Sequence, residues 1–179
     1  MHVSKIKSFW FIYLFNFIYK CEFPMEEPNA LNDVSEFHKT FKHPVLSAPS
    51  IPDQKRCDLR VSLIQEELNE LSEAIRDKDL VEVADALADI QYVLAGAVLE
   101  FGLGSKFAEL FAEVQRSNMS KACNSMEEAE QTVAHYRSKG EDAYIEQADG
   151  HFLVYRKTDN KTLKSINYSP ADLATILKS

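Results

Sequence analysis

Glycine is scarce in this chain: five in 179 residues, and none before Gly96. That argues against a doubly wound nucleotide-binding sheet and against any Gly-rich phosphate loop. Cysteine is almost as thin. Cys21, Cys57 and Cys123 form no CxxC or CxxxC pair, so there is neither a zinc motif nor a disulfide frame, and a reducing, cytoplasmic setting is expected. Positive charge is short as well: 20 Lys and Arg stand against 28 Asp and Glu, for a net charge of −8. The balance speaks against a nucleic-acid groove or a polybasic membrane surface. What remains, with 45% apolar and 27% charged residues, is globular and large enough to bury a core without staples.

Residues 1–24 differ from the rest. They hold five of the eleven Phe residues and the single Trp. The aromatic run from Phe9 to Tyr19 falls short of the roughly 20 apolar residues of a membrane span. Tyr19-Lys20-Cys21-Glu22 offers no small-residue signal-cleavage site. Phe, Ile, Tyr, Lys and Asn fill 14 of the 24 positions, which is what translated AT-rich DNA looks like. The expectation is therefore a start codon assigned too early, with Met25 as the true start and 1–24 outside the fold. A cleaved signal or anchor and a native helix are the competing readings. Leaving out Lys5, Lys7, Lys20 and Glu22 takes the remainder to −10.

Beyond that segment the pattern is helical. Periodicity predicts helices over about Leu31–Phe41, Gln54–Arg76, Leu80–Phe101 and Ser105–Ser117. Pro44, Pro49 and Pro52 mark a loop, Arg76-Asp77-Lys78 a turn, and Gly102 and Gly104 a helix end. After Lys121 the character changes. Ser125 and Glu128 form a capping-box pattern for a helix ending at Gly140. Ala143–Ala148 and Phe152–Arg156 flank Asp149-Gly150, a hairpin signal. Thr162–Asn167 is a candidate third strand, and Ser169-Pro170 reads as an N-cap followed by Pro at the first helical position. The expected architecture is mainly α: a four-helix-type bundle over 25–121 with a small α+β appendage over 122–179.

The second and third helices carry an unusual set of acids. On a helical wheel Glu67 shares the apolar face with Leu63, Ile64, Leu71 and Ala74. Glu70 lies at the edge of that face, and Glu66 and Glu73 point further out. From Leu80 to Leu99 the third helix has no Lys or Arg, and Glu82, Asp85 and Asp89 share one stripe continued by Tyr92 and Gly96. The rest of that helix is apolar nearly all round, the mark of a buried helix. Glu66, Glu67 and Glu70 have no Lys or Arg three or four positions away. Two helices each bringing an acid pair can converge carboxylates on one point, the oxygen-only set that hard divalent cations take. Glu82 has a competing role, as the third residue of a capping box opened by Asp79. A di-iron site needs Glu-x-x-His, and no histidine here has Glu three positions before it.

Glu66-Glu67-x-x-Glu70 followed by Glu82-x-x-Asp85 resembles the paired motif of all-α nucleoside triphosphate pyrophosphohydrolases, the MazG-like superfamily. That group includes phosphoribosyl-ATP pyrophosphohydrolases and all-α dUTPases. The similarity continues through Asp85-Ala86-Leu87-Ala88-Asp89-Ile90-Gln91-Tyr92-Val93. The block Arg116-Ser117-Asn118-Met119-Ser120-Lys121 and the closing stretch Leu163–Leu173 resemble one bacterial and phage branch. The likeness covers about 31–121 and 154–175. It implies that Glu67, Glu70, Glu82 and Asp85 ligate Mg²⁺, with Mn²⁺ as the alternative ion. It also implies that Glu66 holds a second ion or orients the attacking water, and that Asn118 and Lys121 touch the nucleotide. Asp89, on the same stripe, joins them as a substrate-side acid.

The activity implied is Mg²⁺-dependent cleavage between the α- and β-phosphates of a nucleoside triphosphate, giving a monophosphate and pyrophosphate. Lys121, with Arg116, Arg156 or Lys164, would stabilise the leaving group. Two alternatives stand beside it: hydrolysis of phosphoribosyl-ATP in histidine biosynthesis, and a non-catalytic helical module that keeps the metal site. The apolar surface of the second and third helices exceeds what the first and fourth can cover, so a homodimer or larger homo-oligomer is expected.

Overall fold

The computed structural model describes residues 25–179; the expectation for 1–24 lies outside the described residues. Six helices and one hairpin follow in order: α1 Ala30–Thr40, α2 Gln54–Asp77, α3 Leu80–Glu100, α4 Phe107–Met119, α5 Met126–Ser138, β1 Ala143–Ala148, β2 His151–Arg156 and α6 Leu173–Lys178. The chain is mainly helical and ends in an α+β unit, as the pattern predicts.

α2 and α3 form the largest helix–helix interface, and their connection explains why they are antiparallel. α2 closes in a Schellman motif: Lys78 takes the left-handed conformation (φ 59°), its N–H bonds the Ile75 carbonyl, and the Asp79 N–H bonds the Ala74 carbonyl. Asp79 is at the same time the N-cap of α3, its carboxylate accepting from the Val81 and Glu82 N–H groups at 2.9 and 3.3 Å. Two residues thus end one helix and start the next. α3 ends in a second Schellman turn, Leu103 N–H to Val98 O and Gly102 N–H to Leu99 O. Gly102 has φ +66°, and a Cβ there would lie 2.0 Å from the Ala48 carbonyl oxygen. That close approach comes from the Pro-rich loop, whose Leu46 and Ser50 N–H groups bond the Leu99 and Phe101 carbonyls.

A buried polar network ties α1, α2 and α3 together. Glu100, 1% exposed, accepts from both Arg56 and Arg60. Burial alone would raise its pKa, but the hydrogen bonds and charges of the two guanidinium groups outweigh it and hold the carboxyl below the usual range. His38 lies against Arg60. Its Nδ1 faces the Pro44 carbonyl at 2.9 Å. A carbonyl only accepts, so Nδ1 carries the proton and the neutral ring's Nε2 receives the Arg60 N–H at 3.3 Å. Burial lowers the His38 pKa, which favours that neutral ring. Gly96 leaves room for the guanidinium, since a Cβ there would lie 2.7 Å from Arg60 Nη1.

The C-terminal unit has its own core of Cys123, Ala129, Ala143, Val154 and Leu163. β1 and β2 pair antiparallel from Ala143↔Arg156 to Ala148↔His151. The turn residues Asp149 and Gly150 both have positive φ (48° and 80°), the type I′ pattern. Ser125 caps α5 through the Glu128 N–H, whereas the Glu128 carboxylate reaches the Asn124 N–H and the Ser165 hydroxyl.

Several expectations are corrected. The helices shift slightly, most for α4, which starts and ends two residues later than expected and so takes Asn118 and Met119 into helix. Thr162–Asn167 is not a strand: only Thr162 bridges Tyr155. Leu163 N–H still bonds the Val154 carbonyl of β2, but the donors after it go elsewhere, Lys164 N–H to the Tyr136 hydroxyl, Ser165 N–H to the Lys121 carbonyl and Ile166 N–H to Thr132 Oγ1. The last helix is capped by Asp172, which bonds the Thr175 N–H, and not by Ser169. Ser169-Pro170 is instead tied to α4 by Ser120 and Arg116. Finally, α3 is buried at Ala86 and toward its C-terminal end, from Ala95 to Glu100 apart from the half-buried Ala97; Leu80, Val81 and Leu87 of its first half are 78%, 75% and 52% exposed within one chain. Among the described residues no helix is long and apolar enough to cross a membrane.

Removing the buried anion leaves two guanidinium groups unpaired. Glu100→Ala is expected to cost about 3–5 kcal/mol of stability, read as a lower urea midpoint; an unchanged midpoint would show that the network holds nothing together.

Candidate active site

Glu66, Glu67 and Glu70 occupy the middle of α2; Glu82, Asp85 and Asp89 occupy the first half of α3. The antiparallel turn at Lys78-Asp79 brings these two stretches alongside each other. Glu67 is half-buried, and the other five are exposed. Desolvation raises the Glu67 pKa above the usual carboxylate range, and the negative charges of Asp89, Glu70, Glu66 and Asp85 push it further, in that order. Four carboxylates therefore act on the Glu67 position. None of the six acids, Glu82 included, makes a side-chain ion pair or hydrogen bond in the described structure. Like charges gathered without a counter-charge are destabilising by themselves.

Two details bear on individual residues. Glu82 does not complete a capping box, because the Asp79 N–H that its carboxylate would need is already bonded to the Ala74 carbonyl. Its side chain remains free for another use, although it is not among the charges acting on Glu67. Asp89 is the strongest of those charges, which moves it closer to the centre than its place on the stripe suggests. Glu66 lines a shallow depression on the α2 flank with Asp58, Gln65 and Asn69.

Among the described residues no three His, Cys, Asp or Glu side chains are already drawn together into a cation cage. The donor chemistry nonetheless fits a hard cation: oxygen atoms only, on two rigid helices, with mutual repulsion that a divalent ion would relieve.

The candidate substrate residues lie at the end of α4 and beyond. Asn118 is inside the helix and is not its C-cap, which is Ser120. Its Oδ1 accepts from Lys121 Nζ at 2.8 Å. Lys164 Nζ sits 4.2 Å from the centre of the Tyr168 ring, and the Tyr168 hydroxyl pairs with Ser117 at 3.0 Å. The Ser117 hydrogen bond, together with the charges of Lys164 and Lys121, lowers the Tyr168 pKa. Lys121 and Lys164 have no carboxylate partner among the described residues. Arg116 and Arg156 differ. Arg116 is paired with Glu113 at 2.7 Å, where it holds that carboxyl down to about 2, and Arg156 is paired with Glu141 at 2.8 Å. Both are committed to structure. Neither Asn118 nor Lys121 hydrogen-bonds or ion-pairs with the acid cluster.

Sequence reasoning missed the Arg56–Arg60–Glu100–His38 network. The stripe of Glu82, Asp85, Asp89 and Tyr92 runs on to Gly96, under Arg60, so the clue lay in a glycine on an otherwise acidic and aromatic stripe.

Comparison with known proteins adds to this geometry. A family model described as phosphoribosyl-ATP pyrophosphohydrolase matches residues 34–118, from α1 to the end of α4. Over 85 residues the chain is 36% identical to a protein named "Uncharacterized protein L479" of Acanthamoeba polyphaga mimivirus, covering 44% of this chain and 33% of that relative. The chain thus spans about a third of that relative's length.

The repulsion predicts a stability effect. Because the Glu67 pKa is raised on folding, its contribution is present at acid pH and is lost as pH rises through the folded value. At neutral pH, Glu67→Gln should raise the melting temperature of the metal-free protein, while Mg²⁺ should raise that of the unchanged protein and barely move the variant. Equal Mg²⁺ shifts in both would remove Glu67 from the cation site.

Proposed function

We propose, from the premise that residues 34–118 form a phosphoribosyl-ATP pyrophosphohydrolase-family domain of the MazG-like all-α superfamily, that the chain is a Mg²⁺-dependent nucleoside triphosphate pyrophosphohydrolase. One observation carries the reading: four carboxylates act on Glu67 with no Lys or Arg to neutralise them.

Glu67, Glu70, Glu82 and Asp85 hold the ion, and Asp89 stands beside them on the substrate side. A bound Mg²⁺ supplies charge neutralisation on the phosphate oxygens and lowers the pKa of water. Glu66, exposed on the flank of α2, orients a water for attack on the α-phosphorus and accepts hydrogen bonds from it. The bond from the α-phosphorus to the bridging oxygen breaks, and pyrophosphate departs with the electron pair. The hydrolysis water adds oxygen to the nucleoside monophosphate and its protons pass to the carboxylate side and solvent. Asn118 and Lys121 contact the sugar and phosphates, and Lys121 with Lys164 offsets charge on the leaving group. An acidic chain of net charge −8 would otherwise repel a triphosphate, so recruitment through the cation fits its composition.

The family match favours a second substrate of the same chemistry. Phosphoribosyl-ATP carries the same α–β bond, and hydrolysis there needs the same residues.

The exposed Leu80, Val81 and Leu87 of α3 with Val61 and Ile75 of α2 support assembly as a homodimer through an isologous contact. Light scattering should give twice the chain mass at micromolar concentration; a monomer mass with activity intact would contradict the dimer.

The enzymatic test is a panel of nucleoside triphosphates and phosphoribosyl-ATP with Mg²⁺, followed by pyrophosphate detection. Pyrophosphate release is expected from at least one, and Asp85→Asn should reduce it by about 10²-fold or more while the helical circular dichroism is kept. Release of orthophosphate in place of pyrophosphate, or near-normal turnover by the variant at saturating Mg²⁺, would overturn the assignment.

A further inference from the structure

Where α4 ends, the closing segment of the chain folds back onto it. The Ser165 N–H bonds the Lys121 carbonyl at 3.2 Å, and the Ser169 N–H bonds Ser120 Oγ at 3.0 Å. Between these ties the segment makes a tight turn, closed by the Tyr168 N–H on the Ser165 carbonyl at 3.0 Å. Lys164 and Tyr168 are thereby fixed beside Ser117, Asn118 and Lys121. Both lie beyond the matched residues 34–118, so their role is read from this geometry alone.

Every polar tip in the group is a donor. Lys121 Nζ can only donate, so its contact at 2.8 Å turns Asn118 Oδ1 toward it and leaves Nδ2 without an acceptor among the described residues. Lys164 Nζ rests 4.2 Å from the centre of the Tyr168 ring, a contact that orders the side chain without neutralising its charge. Ser117 is 4% exposed, and the one partner of its hydroxyl among the described residues is Tyr168 Oη, at 3.0 Å. A buried proton needs an acceptor, so Ser117 donates to the phenol oxygen and the phenol proton stays unused. The lowered pKa of Tyr168, of which the Ser117 bond is the largest cause, agrees with that direction.

The acids of the same region are engaged elsewhere. Glu113, one turn before Ser117, accepts from Arg116 and from the Asp172 N–H. Glu128 accepts from the Asn124 N–H and the Ser165 hydroxyl. Two ammonium groups, an amide and a phenol thus meet with no free carboxylate to receive them, in a chain whose net charge is −8. Donors alone, two of them charged, are what a multiply charged oxyanion takes.

We infer that Tyr168 is a direct phosphate ligand: its phenol proton, with Lys121 Nζ, Lys164 Nζ and Asn118 Nδ2, holds the pyrophosphate half of the nucleotide, and Ser117 positions the phenol. This rests on the nucleotide reading above but makes a separate claim. The leaving group is held by the closing segment through side-chain donors, independently of the cation on α2 and α3.

The probe is inorganic pyrophosphate, added to the full chain without metal. Two-dimensional ¹H–¹⁵N NMR should show saturable shifts of the Asn118 side-chain amide and the Tyr168 backbone amide. Ribose 5-phosphate, which represents the sugar and α-phosphate, should bind about tenfold more weakly or worse. Lys164→Ala and Tyr168→Phe should each weaken pyrophosphate binding about tenfold. Tyr168→Phe keeps the ring beneath Lys164, and circular dichroism checks that the fold is kept. Ser117→Ala keeps the phenol and should cost about threefold or less, while Lys139→Ala, at the far end of α5, should change nothing. Shifts that do not saturate, or ribose 5-phosphate bound as tightly as pyrophosphate, would overturn the site. Binding indifferent to Tyr168→Phe, or weakened as much by Ser117→Ala, would remove Tyr168 from it. Pyrophosphate binding that follows the expected pattern in a chain that hydrolyses no nucleotide would sink the catalytic reading and leave the site standing. Nucleotide hydrolysis with kcat and KM unmoved by Tyr168→Phe would do the reverse.

Discussion

The uncompensated repulsion among carboxylates on α2 and α3 is the constraint around which the rest of the helical domain is organised. Carboxylates brought this close oppose folding unless something rigid holds their helices in place or something positive joins them. The rigidity comes from two ends. At one, Lys78 and Asp79 end α2 and begin α3 within two residues. At the other, Glu100 receives Arg56 and Arg60, and His38 and the Pro-rich loop close over them. The cations that could have neutralised the acid cluster are thus concentrated at the opposite end of the same helix pair, around a single buried carboxylate.

That division of charge has a functional consequence. Placing Arg56 and Arg60 with Glu100 leaves the acid cluster available to an exogenous cation. The C-terminal unit stands apart in its construction, with a separate core and a hairpin. It contributes two lysines, Lys121 at its junction with α4 and Lys164, that lack carboxylate partners, while Arg156 fastens its segments through the ion pair with Glu141 and Arg116 of α4 holds it through the Pro170 carbonyl.

Much of this was legible in the sequence, and the reasons differ by element. The helices follow from apolar periodicity, and the hairpin follows from Asp149-Gly150, whose positive φ values are what that dipeptide tolerates best. The acid pairs were legible because no nearby Lys or Arg explains them. The third strand failed because local β-propensity cannot foresee that Thr132 and Tyr136 of α5 would accept the segment's N–H groups. The cap at Ser169 failed for a similar reason: Ser120 and Arg116 hold that stretch before a helix can begin. Full burial of α3 was inferred from its composition, yet Leu80, Val81 and Leu87 remain exposed in one chain, since composition states that an apolar surface wants covering and not what covers it. Glu100 escaped notice because a lone acid at a helix C-terminus looks like a solvated charge until two arginines from 40 residues and more away arrive on it.

The central claim is that the carboxylates around Glu67 form a divalent-cation site. Electron paramagnetic resonance of Mn²⁺ tests it directly, because bound Mn²⁺ loses the sharp six-line signal of the free ion. Titration into the metal-free protein at neutral pH should suppress that signal up to a definite stoichiometry, with Mg²⁺ restoring it by competition, and Glu67→Gln should abolish the suppression. A free-ion signal that rises from the first addition, or one suppressed equally by the folded Glu67→Gln protein, would contradict the account.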